Sequence, residues 1–301
     1  MSVKASASAK TILFGEHAVV YNEPAIAIPL SQTRTYAELT PNRNKFRVIS
    51  SKTHLNKTYE ELNPDSGLRV LLDKIIDTLH LSKLPDDTLI IKSSIPIASG
   101  LGSGAALSIA VIRAFAERFG QDMSPETVNS LAYEAEKVYH GTPSGIDNTT
   151  IAYEKPIIFS KTTGFETLKA DIGKFHLLVI DSGIRSRTID VVSDVRANFS
   201  HNEPFIREIG ELVRSSAEVL EQGDETELGR LMNENQRLLQ KIDVSCPEMD
   251  ELIAFGLSHG APGGKITGAG RGGNFLMLAK DAGQAEHLKF LYEKRGLQVI
   301  L

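Results

Sequence analysis

The chain has 301 residues, 41% of them hydrophobic and 24% charged, with a formal net charge of −5. That length suffices for two domains and a sizeable core without disulfides or metals, because single cores stop growing near about 250–300 residues. The acidic balance and the lack of a long basic block disfavour nucleic acid as a partner, so an anionic substrate must be drawn by individual Lys and Arg side chains.

The single cysteine, Cys246, excludes an intramolecular disulfide and accords with a reducing compartment. The opening MSVKASASAKTILFGEH has no apolar run of the signal-peptide kind, and no stretch approaches about 18 apolar residues. The expected setting is cytoplasmic, with no membrane partner.

In chain order, residues 3–14 and 26–39 carry strand patterns, and KFRVIS and TLIIKSSI are two further strand candidates. Between these two, Leu68, Leu71, Leu72, Ile75, Ile76 and Leu79 fall at helical spacing. PIASGLGSGAALSIA, from Pro96, leads into a helix with Leu107, Val111, Ala114 and Phe115 on one face. A second helix opens at SPET, with Ser124 as N-cap and Pro125 at the first helical position. Its stripe is Val128, Leu131, Ala132, Ala135 and Tyr139, and HGTPSGIDN then breaks the pattern as a polar loop.

KPIIFSK and KFHLLVIDSG read as strands, and residues 190–222, 224–241 and 247–259 as helices. GGKITGAGRGGNFLMLA is a glycine loop followed by a strand, and AEHLKFLYEKRGLQVIL reads as helix, glycine stop, strand. The composition turns helical near residue 186, which puts a domain boundary between 170 and 185, taken at 175/176. Strand runs mixed with helices favour α+β over a strictly alternating α/β sheet.

A glycine run opening a helix lets the backbone approach a phosphate, while the first unpaired N–H groups of the helix face the anion. Gly100, Gly102 and Gly104 fit that design. The run lacks the Lys-Ser/Thr ending of the P-loop and the G-x-G-x-x-G spacing, so taken alone it is equally a tight strand-to-helix crossover. Three other segments bear on the choice. SAKTILFGEHAVVY gathers Lys10, Glu16 and His17, HGTPSGIDN centres on Asp147, and KITGAGRGGNF is a second glycine loop. Together they supply two backbone cradles, a lysine, carboxylates and hydroxyls, the inventory of phosphoryl transfer.

AKTILFGEHAVVYNEPAIA, PIASGLGSGAALSIA, EAEKVYHGTPSGIDN and KITGAGRGGN, in that order, resemble the GHMP kinase superfamily, most closely its mevalonate-phosphorylating branch. The resemblance runs from residue 9 to residue 275. GEHAVVY combined with HGTPSGIDN sets the chain apart from galactokinases, which share the Gly-Glu-His. The resemblance implies a two-domain α+β fold. Residues 1–175 would form an N-terminal domain with the phosphate loop, residues 176–301 a ferredoxin-like C-terminal domain, and ATP and substrate would meet in the cleft between them.

The resemblance also implies roles. Asp147 would accept the proton of the acceptor hydroxyl, although an Asp in Gly-Ile-Asp-Asn is otherwise a turn residue or cap. A carboxylate is a poor base toward a ground-state alcohol, but in a loose phosphoryl-transfer transition state the proton leaves late. Lys10 would stabilise developing alkoxide and γ-phosphate charge. Glu136, about 40° from the apolar stripe, would hold Mg²⁺, with Glu134 on the surface. Pro96, Ser99, Gly100, Leu101, Gly102, Ser103, Gly104, Ala105 and Gly268 would bind ATP. Glu16, His17, Ser144 and Thr188 would contact the acceptor, and Lys161 its carboxylate.

Two positions depart from the family pattern. Gly104 replaces the second of two serines, so that Ser103 or a water takes its place at the metal, or metal binding is weaker. Arg271 stands where glycine is usual, where it is either a phosphate ligand or a solvated loop residue. Other small-molecule kinases of the superfamily, acting on homoserine, a sugar or phosphomevalonate, are the nearest alternatives; a catalytically silent ligand sensor is a further one. The expected partner is the small-molecule acceptor, and homodimer formation stays open.

Overall fold

In the computed structural model, which describes residues 1–96, 99–141 and 143–300, the strand patterns at the start of the chain become β1 (Val3–Phe14) and β2 (Ala25–Pro41). Ile97, Ala98 and Thr142, from two of the motifs above, and the side chain of Tyr139 lie outside the described residues. The chain divides into two compact units, Met1–Lys10 with Pro29–Glu154, and Thr11–Ile28 with Lys155–Leu301. It passes from one to the other within β1, within β2 and after Glu154. The boundary read at 175/176 therefore falls inside the second unit. The composition turns helical only from Thr188, where a helix begins inside that unit.

In the first unit, β3 (Arg47–Ser50), β4 (Leu55–Thr58) and β5 (Asp87–Ser93) join β2 in the order β4-β3-β5-β2, with β1 also paired to β2. β2 and β5 are antiparallel, with Ala37 opposite Ile91 and Leu39 opposite Leu89, and β3 runs parallel to β5. Four helices pack on one another here: α1 (Gly67–Thr78), α2 (Ser103–Arg118), α3 (Pro125–His140) and α4 (Ile146–Tyr153).

α2 differs from the single apolar face read in the sequence. Ala105, Ala106, Ile109, Ala110, Ile112 and Phe115 are all buried, while Leu107 is only half-buried. A helix apolar all round is a core helix, and this one sits inside the unit. α3 starts as expected, with the Ser124 hydroxyl accepting from the Thr127 amide and Pro125 in the first turn.

α4 occupies the end of the segment read as a polar loop. Its polar residues hide its helical character from periodicity, yet Asn148, Thr149 and Thr150 are buried and bonded. The Asn148 amide donates to Asn129 Oδ1 at 2.6 Å, and the Thr150 hydroxyl donates to the Ile146 carbonyl at 2.7 Å.

In the second unit, Ala25–Ala27 of β2 pairs antiparallel with β6 (Ile157–Ser160), which pairs with β7 (Gly164–Thr167). Its main sheet is antiparallel. It uses β8 (His176–Asp181), β9 (Gly263–Ile266), β10 (Asn274–Ala279) and β11 (Gln298–Val299) in the order β11-β8-β10-β9.

The helices of this unit are α5 (Thr188–Ala197), α6 (Phe199–Gln222), α7 (Glu225–Lys241), α8 (Pro247–Ser258) and α9 (Ala282–Lys294). α7 and α8 pack on β9, and α9 on β8 and β10. The helix expected over 190–222 is two helices broken at Asn198, whose side chain donates to the Asp194 carbonyl at 3.0 Å, a local bond that competes with helix continuation. Among the described residues, no helix is long and apolar enough to cross a membrane.

Candidate active site

The glycine run of the first unit is built as an anion cradle. Gly102 takes a left-handed conformation, φ 72°, as the N-cap of α2, where no side chain caps the helix and no acidic residue sits in the first turn. The amides that open α2 therefore present their N–H groups to an incoming anion. Glycine is required at 102 for a second reason: a Cβ there would lie 2.9 Å from Ile151 Cδ1 and 3.1 Å from Lys10 Cγ. Ser99 tightens the loop by donating to the Pro96 carbonyl at 2.9 Å, and the Lys10 amide donates to the Leu101 carbonyl at 3.1 Å.

β1 thus delivers Lys10 to the loop, and its ammonium lies 2.8 Å from Asp147 Oδ1. The Lys10 side chain is 6% exposed, whereas that of Asp147 is 33% exposed. The lysine is thus fixed within the fold, and the carboxylate keeps an open side. Asp147 stands in the first turn of α4, launched by Gly145 at φ 86°. Ser144, just before it, is exposed and accepts from the Ile146 amide at 3.4 Å.

Glu136 is buried, and Glu134 on the same helix is half exposed and donated to by Lys137 at 2.7 Å. Gly104 faces Glu136: a Cβ at 104 would come 2.8 Å from Glu136 Oε1. Ser103 is half-buried beside it in the same turn.

In the second unit, Glu16 and His17 follow Gly15, whose φ is 93° and whose missing Cβ would sit 2.5 Å from the Pro24 carbonyl oxygen and Ala25 Cα. Glu16 is buried and forms an ion pair with Lys265 of β9, itself 0% exposed. Burial pushes the Lys265 pKa down, and the adjacent Glu16 carboxylate opposes that shift.

His17 has a positive φ of 61°, and its Nε2 lies 2.8 Å from the Ala269 carbonyl oxygen. A carbonyl only accepts, so the ring donates from Nε2 and leaves Nδ1 as an acceptor. Burial holds the imidazole pKa below its ordinary value, with the bond to Ala269 acting against this and the Arg271 charge adding to it.

The second glycine loop is tied on several sides. Ser186 donates to the Gly270 carbonyl at 2.7 Å, and the Gly273 amide donates to that of Ile184 at 2.9 Å. Arg271, at φ 51°, pairs with Asp194 of α5, and its Nη2 lies 2.9 Å from Asp243 Oδ2. Its Nε also donates to the Asp243 carbonyl at 2.9 Å. The guanidinium is held by two carboxylates and a backbone carbonyl. It clamps the loop to α5 and to the segment after α7. Gly268 has a positive φ of 81° and open space where a Cβ would stand. Thr188 is exposed at the start of α5, and Lys161 is exposed with Nζ 3.5 Å from the Val20 carbonyl oxygen.

Within the first unit the structure therefore assembles Lys10, Asp147, Ser144, the loop through Ala105 and the Gly104–Glu136 pair. Within the second it assembles Glu16, His17 and the second glycine loop. Lys265 is the residue the sequence motif contained without a role assigned. Its signal was a charged residue inside the otherwise apolar or glycine-rich run GGKI, all of it buried.

Residues 58–155 match the GHMP kinases N terminal domain, and residues 216–290 the GHMP kinases C terminal. A mevalonate kinase of Thermococcus sibiricus is 34% identical over 93% of this chain and 90% of its own. The chain belongs to the GHMP kinases. The mevalonate kinase of Methanocaldococcus jannaschii is 30% identical over 94% of this chain and 93% of its own. Among solved structures, a Methanococcus jannaschii mevalonate kinase superposes with a TM-score of 0.87 at 24% identity, covering 99% of this chain and 96% of that one. The L. major mevalonate kinase in complex with R-mevalonate superposes with a TM-score of 0.82 at 28% identity, covering 98% and 94%. This GHMP kinase has the family's two-domain α+β fold and uses ATP.

Proposed function

We propose that this GHMP kinase transfers the γ-phosphoryl group of ATP to the primary hydroxyl of mevalonate, giving 5-phosphomevalonate and ADP. The observation that carries the reading is the Lys10–Asp147 pair, 2.8 Å apart beside the amides of α2. It stands in a chain similar along nearly its whole length to proteins named mevalonate kinase.

The acceptor oxygen attacks the γ-phosphorus and forms the new P–O bond, the bond to the β,γ-bridging oxygen breaks, and ADP leaves. Asp147 accepts the hydroxyl proton as the bond to phosphorus forms. Lys10 stabilises charge on the attacking oxygen and the transferring group. Pro96 and the residues from Ser99 to Ala105 cradle the phosphates, and Gly268 serves the nucleotide from the second loop. Glu16, His17, Ser144 and Thr188 bind mevalonate oxygens, with Lys161 toward its carboxylate.

Magnesium fits this donor set. Among the described residues no group of three or more His, Cys, Asp or Glu is placed to hold a metal ion, and Mg²⁺ bound with ATP needs only one or two carboxylates. Glu136 supplies one, with space in front of it where Gly104 lacks a Cβ, and Ser103 adds a hydroxyl from the same turn. When bound, the ion neutralises phosphate charge.

The test is steady-state kinetics with ATP against mevalonate, homoserine, galactose and phosphomevalonate, with products assigned by phosphorus NMR. Mevalonate is expected to give the highest kcat/KM. Turnover of another alcohol with none of mevalonate would overturn the reading.

A further inference from the structure

We propose that Lys265 is a positioning residue for the acceptor site, holding the Glu16 carboxylate in the pose that receives mevalonate. The proposal rests on the reading of Glu16 as an acceptor-binding residue. Lys265 lies in β9, all four residues of which are buried, and its side chain is 0% exposed. It acts on a ligand only through what it holds. Its ammonium donates to Glu16 and, at 2.7 Å, to the Ile266 carbonyl.

A fully buried ammonium loses its hydration, and an opposite charge with good hydrogen bonds is what offsets that loss. A Met or Leu at 265 would fill a strand interior with no such penalty, so the charge has a purpose other than packing. The frame around the pair supports that purpose. The Thr267 hydroxyl donates to the Ile12 carbonyl at 2.8 Å, and the Thr11 and Thr267 hydroxyls are 3.0 Å apart, which stitches the end of β9 to the tail of β1. Gly15 seats the following turn against Pro24 and Ala25, and His17 bonds Ala269. The Glu16 backbone is thereby fixed from both sides. Its side chain has three torsions, and the ion pair with Lys265 restrains them.

The experiment compares the full-length enzyme with Lys265→Met, Glu16→Gln and the double variant, measuring kcat and KM for mevalonate and for ATP, with folding followed by circular dichroism. Lys265→Met is expected to raise KM for mevalonate by about tenfold or more, the loss of one charge-assisted hydrogen bond. KM for ATP stays within about twofold. The double variant matches Glu16→Gln alone, because in that background no charge remains to be held.

If Glu16→Gln raises KM for mevalonate and Lys265→Met leaves it unchanged, or raises both KM values alike, Lys265 only supports the fold and the proposal fails. If Glu16→Gln itself leaves KM for mevalonate unchanged, the reading of Glu16 falls first. Should Lys265→Met not fold, the double variant, which removes both charges, decides. A KM for mevalonate well above that of Glu16→Gln would overturn the proposal.

Discussion

Lys10 and Asp147 face each other across 2.8 Å with unequal exposure, the lysine side chain at 6% and the aspartate at 33%. The lysine is anchored by its amide to Leu101, and its stem fills the space that a side chain at position 102 would need. This asymmetry suits a fixed cation beside a carboxylate that must meet a hydroxyl. Asp147→Asn is therefore expected to lower kcat by roughly a hundred- to ten-thousand-fold, the usual range for a general base. Binding of an ATP analogue, read by calorimetry, stays close to wild type. A variant with near-normal turnover would remove Asp147 from the chemistry.

Gly104 and Glu136 form the second relationship with a direct test. A methyl group at 104 would stand 2.8 Å from Glu136 Oε1, and the carboxylate, as the end of a flexible side chain, would swing away. Gly104→Ala is expected to leave the melting temperature nearly unchanged while raising the Mg²⁺ concentration for half-maximal rate by on the order of tenfold. Binding of Mn²⁺ with an ATP analogue, followed by electron paramagnetic resonance, weakens in parallel. An unchanged metal requirement would place the ion away from Glu136.

The elements legible in the sequence were those with a strong period or explicit end signals, such as α1 and the Ser124–Pro125 start of α3. α4 was hidden because Asn148, Thr149 and Thr150 break the apolar pattern and are satisfied by bonds that only the folded chain makes. The break at Asn198 was hidden for a similar reason, since a side-chain bond to Asp194 outweighs the continuing helical pattern. For the candidate site, the glycine loops, Lys10, Glu136 and Asp147 were visible as motif residues. The partners that fix them were not, because Lys265 lies 249 residues from Glu16 and Asp194 lies 77 from Arg271.

The first unit carries an acid-sensitive cluster. Glu154 accepts from Arg34 at 2.7 Å and from Arg113 at 2.8 Å. Burial alone would raise its pKa, but the hydrogen bond and charge of Arg113, with Arg34, outweigh this and hold the carboxyl below its ordinary value. A carboxyl lowered in the folded state adds stability that is fully present above its unfolded value, about 4.3. That contribution is lost as pH falls through the folded value. Glu154→Gln is expected to destabilise by on the order of 1 kcal/mol at pH 7, after allowance for screening of a side chain 33% exposed. The difference shrinks toward pH 4 and below, as read by urea melts across pH. A constant difference across that range would assign the effect to packing.

Arg271 occupies a position where glycine is unstrained, and its φ of 51° places it in the left-handed region at a penalty of roughly 1–2 kcal/mol. Against that stand its ion pairs to Asp194 and Asp243, both with exposed carboxylates and worth about 0–1 kcal/mol each. Arg271→Gly removes the strain and the pairs together, and glycine adds about 0.5–1 kcal/mol of lost chain entropy. The net change in stability is expected within about 1 kcal/mol. Arg271→Ala loses the pairs and keeps the strain, so it melts below both wild type and Arg271→Gly. Because the guanidinium is already engaged by Asp194, by Asp243 and by the Asp243 carbonyl, both variants keep KM for ATP within about twofold. A tenfold rise in KM for ATP shared by both variants, with melting temperatures unchanged, would instead make Arg271 a ligand of the nucleotide phosphates.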